Sequence, residues 1–263
     1  MITRLWFKLN WLSKFLVLIE YEGTQYHGFQ WQVGLPTIQS ELEQAISRFC
    51  RQSSRVMAAS RTDAGVHAKG QVVCFWAEST LDTKKLVRAM NYYLPGDIAV
   101  KAAYRASVDF NVRRDALSRE YHYYILNSDT RSPFSQRFAL LVPKVLDVYA
   151  MNEACQLIRG EHDFTSFTSS LENNKTTWRN VYEAGIEKKE EFTIFHIVAN
   201  SFLPHQVRST VGLLIRLGLG KMGIEDFRDI MEAKSLGLAG PVSPACGLCL
   251  EKVNYPEPLG NYK

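Results

Sequence analysis

The sequence has few cysteines and lacks any long apolar run. Its 263 residues include five cysteines, an odd number scattered along the chain. This usage argues against a disulfide framework and favours a reducing compartment, so we expect a cytoplasmic protein. The apolar N-terminal segment is interrupted by Arg4, Lys8 and Lys14, and it shows no signal-peptide cleavage site. No stretch approaches a membrane span, and we expect no membrane partner.

An excess of one charge sign and a metal-binding pattern are also lacking. Lys and Arg number 31 against 27 Asp and Glu, a formal net charge of +4 that permits a polyanionic partner without demanding one. Cys246 and Cys249 form a CxxC pair, but a zinc site would need a second pair of ligands at similar spacing. We interpret them as two buried thiols, with a metal or redox role as the alternative.

What the chain does contain is a repeated order of strand and helix patterns. A buried strand at 15–19 is followed by a helix that Thr37 can cap, by a helix over 82–94 and by a strand over 97–104. After Ser107 the pattern restarts, with predicted helices at 147–159, 206–219 and 224–234 and predicted strands at 119–126, 182–188, 192–200 and 247–254.

This order predicts an α+β fold. We expect two ferredoxin-like α/β domains, 14–107 and 108–263, with mainly antiparallel sheets joined edge to edge and an active-site cleft at the seam. Residues 1–13 stand apart as an N-terminal extension, for which a weak amphipathic membrane contact is the alternative.

One polar loop places a carboxylate close to a guanidinium. Residues 60–68 read Ser-Arg-Thr-Asp-Ala-Gly-Val-His-Ala and lie between two strand-like apolar runs, 56–59 and 72–76. In an extended loop, Arg61 and Asp63 point to one side and Thr62 to the other. An Arg and an Asp at this spacing are usually a solvated pair of little energetic value, so spacing alone does not establish catalysis.

This loop closely resembles the signature of the TruA-type tRNA pseudouridine synthases. The match runs from Arg61 to Ala68 and continues through Gly70-Gln71-Val72, with Ser60 where the family usually has Gly. Residues 21–32 resemble a second family signature, a tyrosine-acid-glycine-threonine run that ends in Gln-x-Gln. That loop either caps a core or lays aromatic faces against nucleotides. The resemblance covers about Lys14 to Tyr255.

Later motifs imply further site residues. The pattern Arg119-x-Tyr121-x-Tyr123 implies that Tyr121 is an active-site ring under the target uracil, whereas Tyr123 and Tyr124 keep a core interpretation. The His-x-Val-Arg entry to the helix at 206–219 implies that Arg208 pairs with Asp63. A cation in a first helical turn opposes the dipole, which also favours an anionic partner.

Two more motifs complete the resemblance. Residues 244–248 match a motif that lines the pocket, which implies that Leu248 contacts the base. Residues 160–167 match Gly-x-His-Asp-Phe-x-Ser-Phe, and we interpret His162 and Asp163 as parts of a structural turn rather than as an acid–base pair.

The resemblance implies isomerisation of uridine to pseudouridine at positions 38, 39 and 40 in the anticodon arm of tRNA. Breaking a glycosidic bond needs an anion near the anomeric carbon, so Asp63 is expected to attack or stabilise that carbon. The uridine must leave its stack, and Arg61 is expected to fill the gap. No cofactor is implied, because the leaving base is also the incoming nucleophile.

The expected partners are tRNA and a second copy of the chain. The family resemblance implies a homodimer that cradles tRNA across both subunits. Several basic residues are expected to contact phosphates: Arg113, Arg114, Arg131 and Arg179. The alternatives are a non-catalytic RNA-binding module and a zinc or redox protein, but an acidic Asp63 among arginines serves no evident purpose in a pure RNA binder.

Overall fold

A computed structural model of the protein describes residues 12–78, 82–171 and 176–262. The predicted extension, residues 1–13, therefore lies almost entirely outside the described residues. The described residues form two compact units, of which the first comprises those up to 117 together with those from 250 onward, and the second comprises those from 118 to 249. The division thus falls ten residues beyond the predicted boundary at Ser107, and the C-terminal residues return to the first unit.

The first unit has an antiparallel sheet with two helices. Its described elements are β1 (Leu12–Tyr21), α1 (Ile38–Cys50), β2 (Met57–Ala58), β3 (His67–Glu78), α2 (Thr83–Tyr93) and β4 (Ile98–Ala106). β1 lies between β3 and β4 and pairs antiparallel with both. Phe15, Val17 and Phe75 are fully buried at this pairing. The last strand, β10 (Leu248–Asn254), runs beside β3, which explains why residues after 249 belong to this unit.

Helix α1 begins and packs as its sequence predicts. The Thr37 side chain accepts a hydrogen bond from the Ser40 backbone, and the Ser40 side chain accepts one from the Thr37 backbone, so the two form a capping box. Ile38, Leu42 and Ile46 form its buried face. This apolar face holds the helix against the unit, because burying three aliphatic side chains contributes about 5–9 kcal/mol before entropy is counted.

The second unit repeats the combination of sheet and helices. Its described elements are β5 (Ser118–Leu126), β6 (Leu140–Leu141), α3 (Val148–Leu157), β7 (Gly160–Asp163), β8 (Trp178–Lys189), β9 (Phe192–Ala199), α4 (Gln206–Gly218) and α5 (Ile224–Glu232). The strand order is β5-β9-β8-β7, antiparallel throughout, while the short β6 pairs parallel with β5. Its core contains Phe164, Phe167, Phe195 and Phe227.

The α+β class is confirmed, since helices alternate with strands that pair mostly antiparallel. The predicted helices and strands lie close to the observed ones, with three differences. β3 begins at His67, five residues before the strand-like run at 72–76, and β6 (Leu140–Leu141) lies where no strand was predicted. Residues 160–163, predicted as loop, form β7, because their backbone pairs with residues 178–181 of β8. None of the helices in the described part of the chain has the length and apolarity to cross a bilayer.

Candidate active site

The Asp63 loop connects β2 to β3 in the first unit, and its burial alternates. Arg61 is exposed, Thr62 is buried and Asp63 is half-buried. The Thr62 hydroxyl forms a 2.8 Å hydrogen bond with the hydroxyl of Tyr21, itself in the core of β1. Because Thr62 is anchored inward, its two neighbours are directed away from the core, which is the alternation that the sequence predicts.

A buried glutamine fixes the start of the same loop. The Gln71 side chain donates to the carbonyl of Ser60 over 2.7 Å and accepts from the Ser60 backbone N–H over 3.3 Å. Gln71 is fully buried in β3. Its side-chain amide replaces, for Ser60, the two backbone hydrogen bonds that a neighbouring strand would make. Such a bidentate contact holds the backbone three residues before Asp63.

The loop at residues 21–32 serves as the support of the Asp63 loop. Phe29 N–H donates to the Thr62 carbonyl over 3.0 Å, and Gly65 N–H donates to the Tyr26 carbonyl over 3.2 Å. Gly65 has a φ of +78°, which a glycine adopts without strain. The backbone on both sides of Asp63 is therefore hydrogen-bonded to the supporting loop.

Most aromatic rings of this supporting loop are buried rather than presented to a ligand. Tyr21, Tyr26 and Phe29 belong to the core, whereas Trp31 is 43% exposed. Tyr26 donates a 2.5 Å hydrogen bond to Asp97, the residue before β4. Burial and this carboxylate raise the pKa of Tyr26 above its ordinary value, so the phenol stays protonated and keeps donating. The core-capping alternative is therefore confirmed for these three rings.

His67, the motif residue at which β3 begins, also supports the loop. Its Nδ1 accepts a hydrogen bond from Gly23 N–H over 3.0 Å, and the ring is buried. Accepting through Nδ1 requires that this nitrogen carry no proton. His67 therefore contributes to the architecture of the loop through an N–H···N contact.

In the second unit, Tyr121 lies on the buried side of β5. It is 5% exposed and packs edge-on against Phe202, with ring centroids 5.2 Å apart. Tyr123 is fully buried, as predicted. The core prediction for Tyr124 is wrong: it is only half-buried, because alternation along β5 places it on the opposite side together with His122.

Two sequence motifs of the second unit meet at neighbouring carbonyls. Arg208, half-buried in the first turn of α4, donates through Nε to the Ser243 carbonyl over 2.7 Å. The Tyr123 hydroxyl donates to the Pro244 carbonyl over 2.8 Å. Residues 243–248 thus connect the helix that carries Arg208 to the strand that carries Tyr121. Leu248, the last residue of this segment and the first of β10, is 5% exposed.

The entry to α4 is held in an uncommon conformation. His205, the residue before the helix, has a φ of +62°, a left-handed region that non-glycine residues seldom adopt. Its Nδ1 forms a 2.6 Å hydrogen bond with the Ser169 hydroxyl, and Gln206 Oε1 accepts from Leu203 N–H. These hydrogen bonds stabilise the strained turn, and the turn sets the orientation of Arg208.

The arginines expected to contact phosphates lie in different environments. Arg113, Arg114 and Arg131 are exposed, the first two in a turn after β4. Arg179 is half-buried, and its Nη1 donates to the carbonyls of Thr176 and Trp178 over 2.8 and 2.6 Å. Burial lowers the pKa of Arg179, although its guanidinium remains charged at neutral pH.

Asp163 and His162, which lie at the end of β7 rather than in the predicted turn, make local contacts in keeping with a structural role. Asp163 accepts from both the backbone N–H and the hydroxyl of Thr165, and His162 Nε2 bonds to the Arg159 carbonyl. Burial alone would raise the pKa of Asp163, but hydrogen bonds from Thr165 and Thr177 outweigh it and hold the pKa below its ordinary value.

The two thiols of the CxxC pair differ in environment. Cys249 is buried in β10, whereas Cys246 lies in a preceding turn and is only half-buried, so the prediction of two buried thiols holds for Cys249 alone. In the described parts of the chain, no group of three or more His, Cys, Asp or Glu has an arrangement that could hold a metal ion.

Comparison with known proteins gives one consistent family. A family model described as tRNA pseudouridine synthase matches residues 17–115 and 154–256, which include Asp63 and Arg208, while Tyr121 lies between the two ranges. The tRNA pseudouridine synthase A of Francisella tularensis subsp. novicida is 39% identical over 246 residues, 94% of this chain and 95% of that protein. The protein of the same name from Syntrophomonas wolfei subsp. wolfei is 37% identical over 246 residues, 94% of this chain and 99% of that protein.

Proposed function

The chain belongs to the TruA-type tRNA pseudouridine synthase family, and we propose that its activity, the isomerisation of uridine to pseudouridine in tRNA, is directed at positions 38, 39 and 40 of the anticodon arm. The observation that carries the proposal is the geometry of the Asp63 loop. The loop backbone is hydrogen-bonded to residues 26 and 29 on either side of Asp63, while Arg61 is exposed and Asp63 is half-buried. Such a loop can present a carboxylate without reorganising when substrate binds.

Asp63 is the proposed catalytic residue. The reaction breaks the bond between the anomeric carbon and the uracil nitrogen and forms a bond from the same carbon to a ring carbon of the rotated base. The nitrogen gains a proton and the ring carbon loses one, so nothing else is consumed and no cofactor is needed. A carboxylate near the anomeric carbon stabilises the positive charge that develops there, or attacks it directly.

The other motif residues receive supporting roles in this proposal. Arg61, exposed at the loop surface, fills the place of the uridine that leaves its stack. Tyr121 lies under the target uracil, Leu248 contacts the base, and Arg208 directs the Asp63 carboxylate. These roles are supported by the family motifs and by the hydrogen-bonded turn at which Arg208 begins its helix.

The wider setting follows from the same family. We propose that the two units are ferredoxin-like domains joined edge to edge, with the tRNA-binding cleft at their seam. The chain acts in the cytoplasm as a homodimer that cradles tRNA, with Arg113, Arg114, Arg131 and Arg179 on phosphates. The antiparallel strand order within each unit supports the domain class, and the exposure of the first three arginines supports the phosphate contacts.

The decisive experiment is Asp63→Asn, assayed for single-turnover pseudouridine formation beside a tRNA-binding titration and a thermal melt. Asn keeps the shape of the side chain but carries no negative charge and is a poor nucleophile. We expect pseudouridine formation to be abolished while the fold and the affinity for tRNA stay nearly intact.

Asp82→Asn is the matched control. Asp82 is the N-cap of α2, and Asn caps a helix as well as Asp does, so this variant loses one carboxylate in the same unit at little cost in stability. It should retain full activity. Residual activity of Asp63→Asn within about tenfold of wild type, or roughly 1.4 kcal/mol of barrier, would end the claim for Asp63. Absence of activity in the wild type would favour the binding-only alternative.

A further inference from the structure

Lys14 is a buried lysine in β1 that the catalytic proposal does not use. Its residue is 6% exposed, and its Nζ donates to the carbonyls of Val108 and Phe110, each over 2.7 Å. The ammonium also lies 5.0 Å from the ring centre of Trp76, within reach of a cation–π contact. A buried charge is costly unless such contacts compensate it, so these partners are a defined binding arrangement for the ammonium.

The two carbonyls belong to a compact segment, residues 107–116, which we call the arginine turn. Asn111 Oδ1 accepts from the backbone N–H groups of Arg113 and Arg114, and Asp115 accepts from Asn111 N–H. Arg114 Nε also lies 2.9 Å from Asp115. The turn therefore has its own hydrogen-bond network, and it presents both arginine side chains to solvent.

The arginine turn is also held to the first unit by aromatic residues near the C-terminus. The Phe110 ring is buried and packs against the rings of Tyr255 and Tyr262, at centroid distances of 5.5 and 4.6 Å. The Tyr255 hydroxyl donates to the Val112 carbonyl over 2.6 Å. Lys14 and Tyr255 thus bind the carbonyls of every second residue from 108 to 112, directly before the two exposed arginines.

We propose that Lys14 is a positioning residue for tRNA binding: by holding the carbonyls of Val108 and Phe110 it orients Arg113 and Arg114 toward phosphates, without itself touching tRNA. The inference rests on the proposed function, because it takes tRNA as the ligand. A turn fixed before binding loses little conformational entropy when its arginines meet phosphates. Arg114 already donates a hydrogen bond to Asp115 through Nε. The orientation of Arg114 therefore decides whether the rest of its guanidinium can reach a phosphate while this hydrogen bond is kept.

The test is Lys14→Met, which keeps an unbranched, flexible side chain one atom shorter and removes the ammonium. Affinity for tRNA is measured across a salt series, and the single-turnover rate is measured at saturating tRNA. We expect affinity at low salt to fall about tenfold and the salt slope to decrease toward that of an Arg113→Ala/Arg114→Ala double variant, by about 0.7–0.9 for each phosphate that an arginine no longer neutralises. The rate at saturation should stay within about twofold of wild type.

Two comparisons separate positioning from loss of stability. Ile46→Val removes a methyl group from the core of the same unit and should lower the melting temperature without changing the salt slope. Tyr255→Phe removes the bond to the Val112 carbonyl and should lower the slope in the same direction as Lys14→Met. It keeps the proposal falsifiable should Lys14→Met not fold.

The inference is overturned if the folded Lys14→Met protein, or Tyr255→Phe in its place, keeps the wild-type slope while the double arginine variant loses it. It is also overturned if the double variant itself keeps the slope, because the arginines would then not contact phosphates. A third contrary result is that Lys14→Met lowers the affinity of the double variant by the same factor as that of the wild type, since the coupling energy between Lys14 and the arginines would then be zero. Failure of the proposed function would appear separately, as absence of pseudouridine formation by the wild type.

Discussion

At the scale of single residues, the close approach of two loops depends on glycine. A Cβ on Gly23 would lie 2.6 Å from the carbonyl carbon of Val66, and one on Gly28 would lie 2.7 Å from the Thr62 oxygen. Both obstacles are backbone atoms that flank Asp63, so neither can rotate away. The supporting loop can therefore carry no larger residue at these positions unless the Asp63 loop moves.

Gly23→Ala tests this packing. We expect it to cost about 1–3 kcal/mol of stability, the usual cost of overpacking, and to lower the single-turnover rate, because the displaced backbone carries Asp63. The measurements are a thermal melt and single-turnover pseudouridine formation. Gly96→Ala is the matched control, since a Cβ there has nothing within 4 Å and the backbone is not left-handed. Equal behaviour of the two variants would contradict the packing argument.

The sequence predicted the local geometry of the Asp63 loop but not the contacts that hold the loop in place. The alternation of Arg61, Thr62 and Asp63 followed from local geometry. The clamp by Gln71 and the hydrogen bonds from residues 21–29 did not, because they join segments distant along the chain whose approach depends on the folded sheet. Tyr124 was misplaced for a simpler reason: an all-aromatic stretch hides the alternation that separates it from Tyr123.

At the scale of elements, the left-handed turn at His205 sets where helix α4 begins, and so sets the orientation of Arg208 in its first turn. Arg208→Ala should lower the single-turnover rate about a hundredfold with tRNA affinity changed less than about threefold, because a misdirected carboxylate loses orientation rather than binding. Arg216→Ala, in the last turn of the same helix, is the control and should retain wild-type turnover. An Arg208→Ala enzyme of unchanged rate would reject the proposed direction of Asp63.

Element bounds were predictable where the local signal was complete. Thr37 and Asp82 accept hydrogen bonds at the starts of α1 and α2, as N-cap residues do, so these helices begin where the sequence indicates. β7 was not predictable, since Gly160-Glu161-His162-Asp163 is polar and short and pairs only because β8 offers it an edge.

At the scale of the whole molecule, charge is modest and its placement matters more than its sum. With four arginines on phosphates, at about 0.7–0.9 in salt slope each, affinity for tRNA should fall roughly 50- to 150-fold between 50 and 200 mM salt. A binding titration across that range measures it. A flat dependence would show that the net charge of +4 is not organised into a phosphate-binding surface.

The domain boundary could not be predicted from the restart of the pattern after Ser107. The arginine turn resembles the beginning of a new domain in sequence, yet Lys14, Tyr255 and Tyr262 bind it to the first unit. The arginine turn belongs to the first unit because of contacts with residues more than 90 positions away in the sequence. A local sequence pattern cannot predict such contacts.

The return of β10 to the first unit has a consequence for synthesis on the ribosome. At about 5–20 residues per second, the 118–249 segment takes roughly 7–26 s to translate, and residues 250–254 follow only afterwards. During that interval the nascent first unit lacks the strand that runs beside β3, and Tyr255 and Tyr262 have not yet reached the arginine turn. The N-terminal unit, although made first, is therefore the last to be completed.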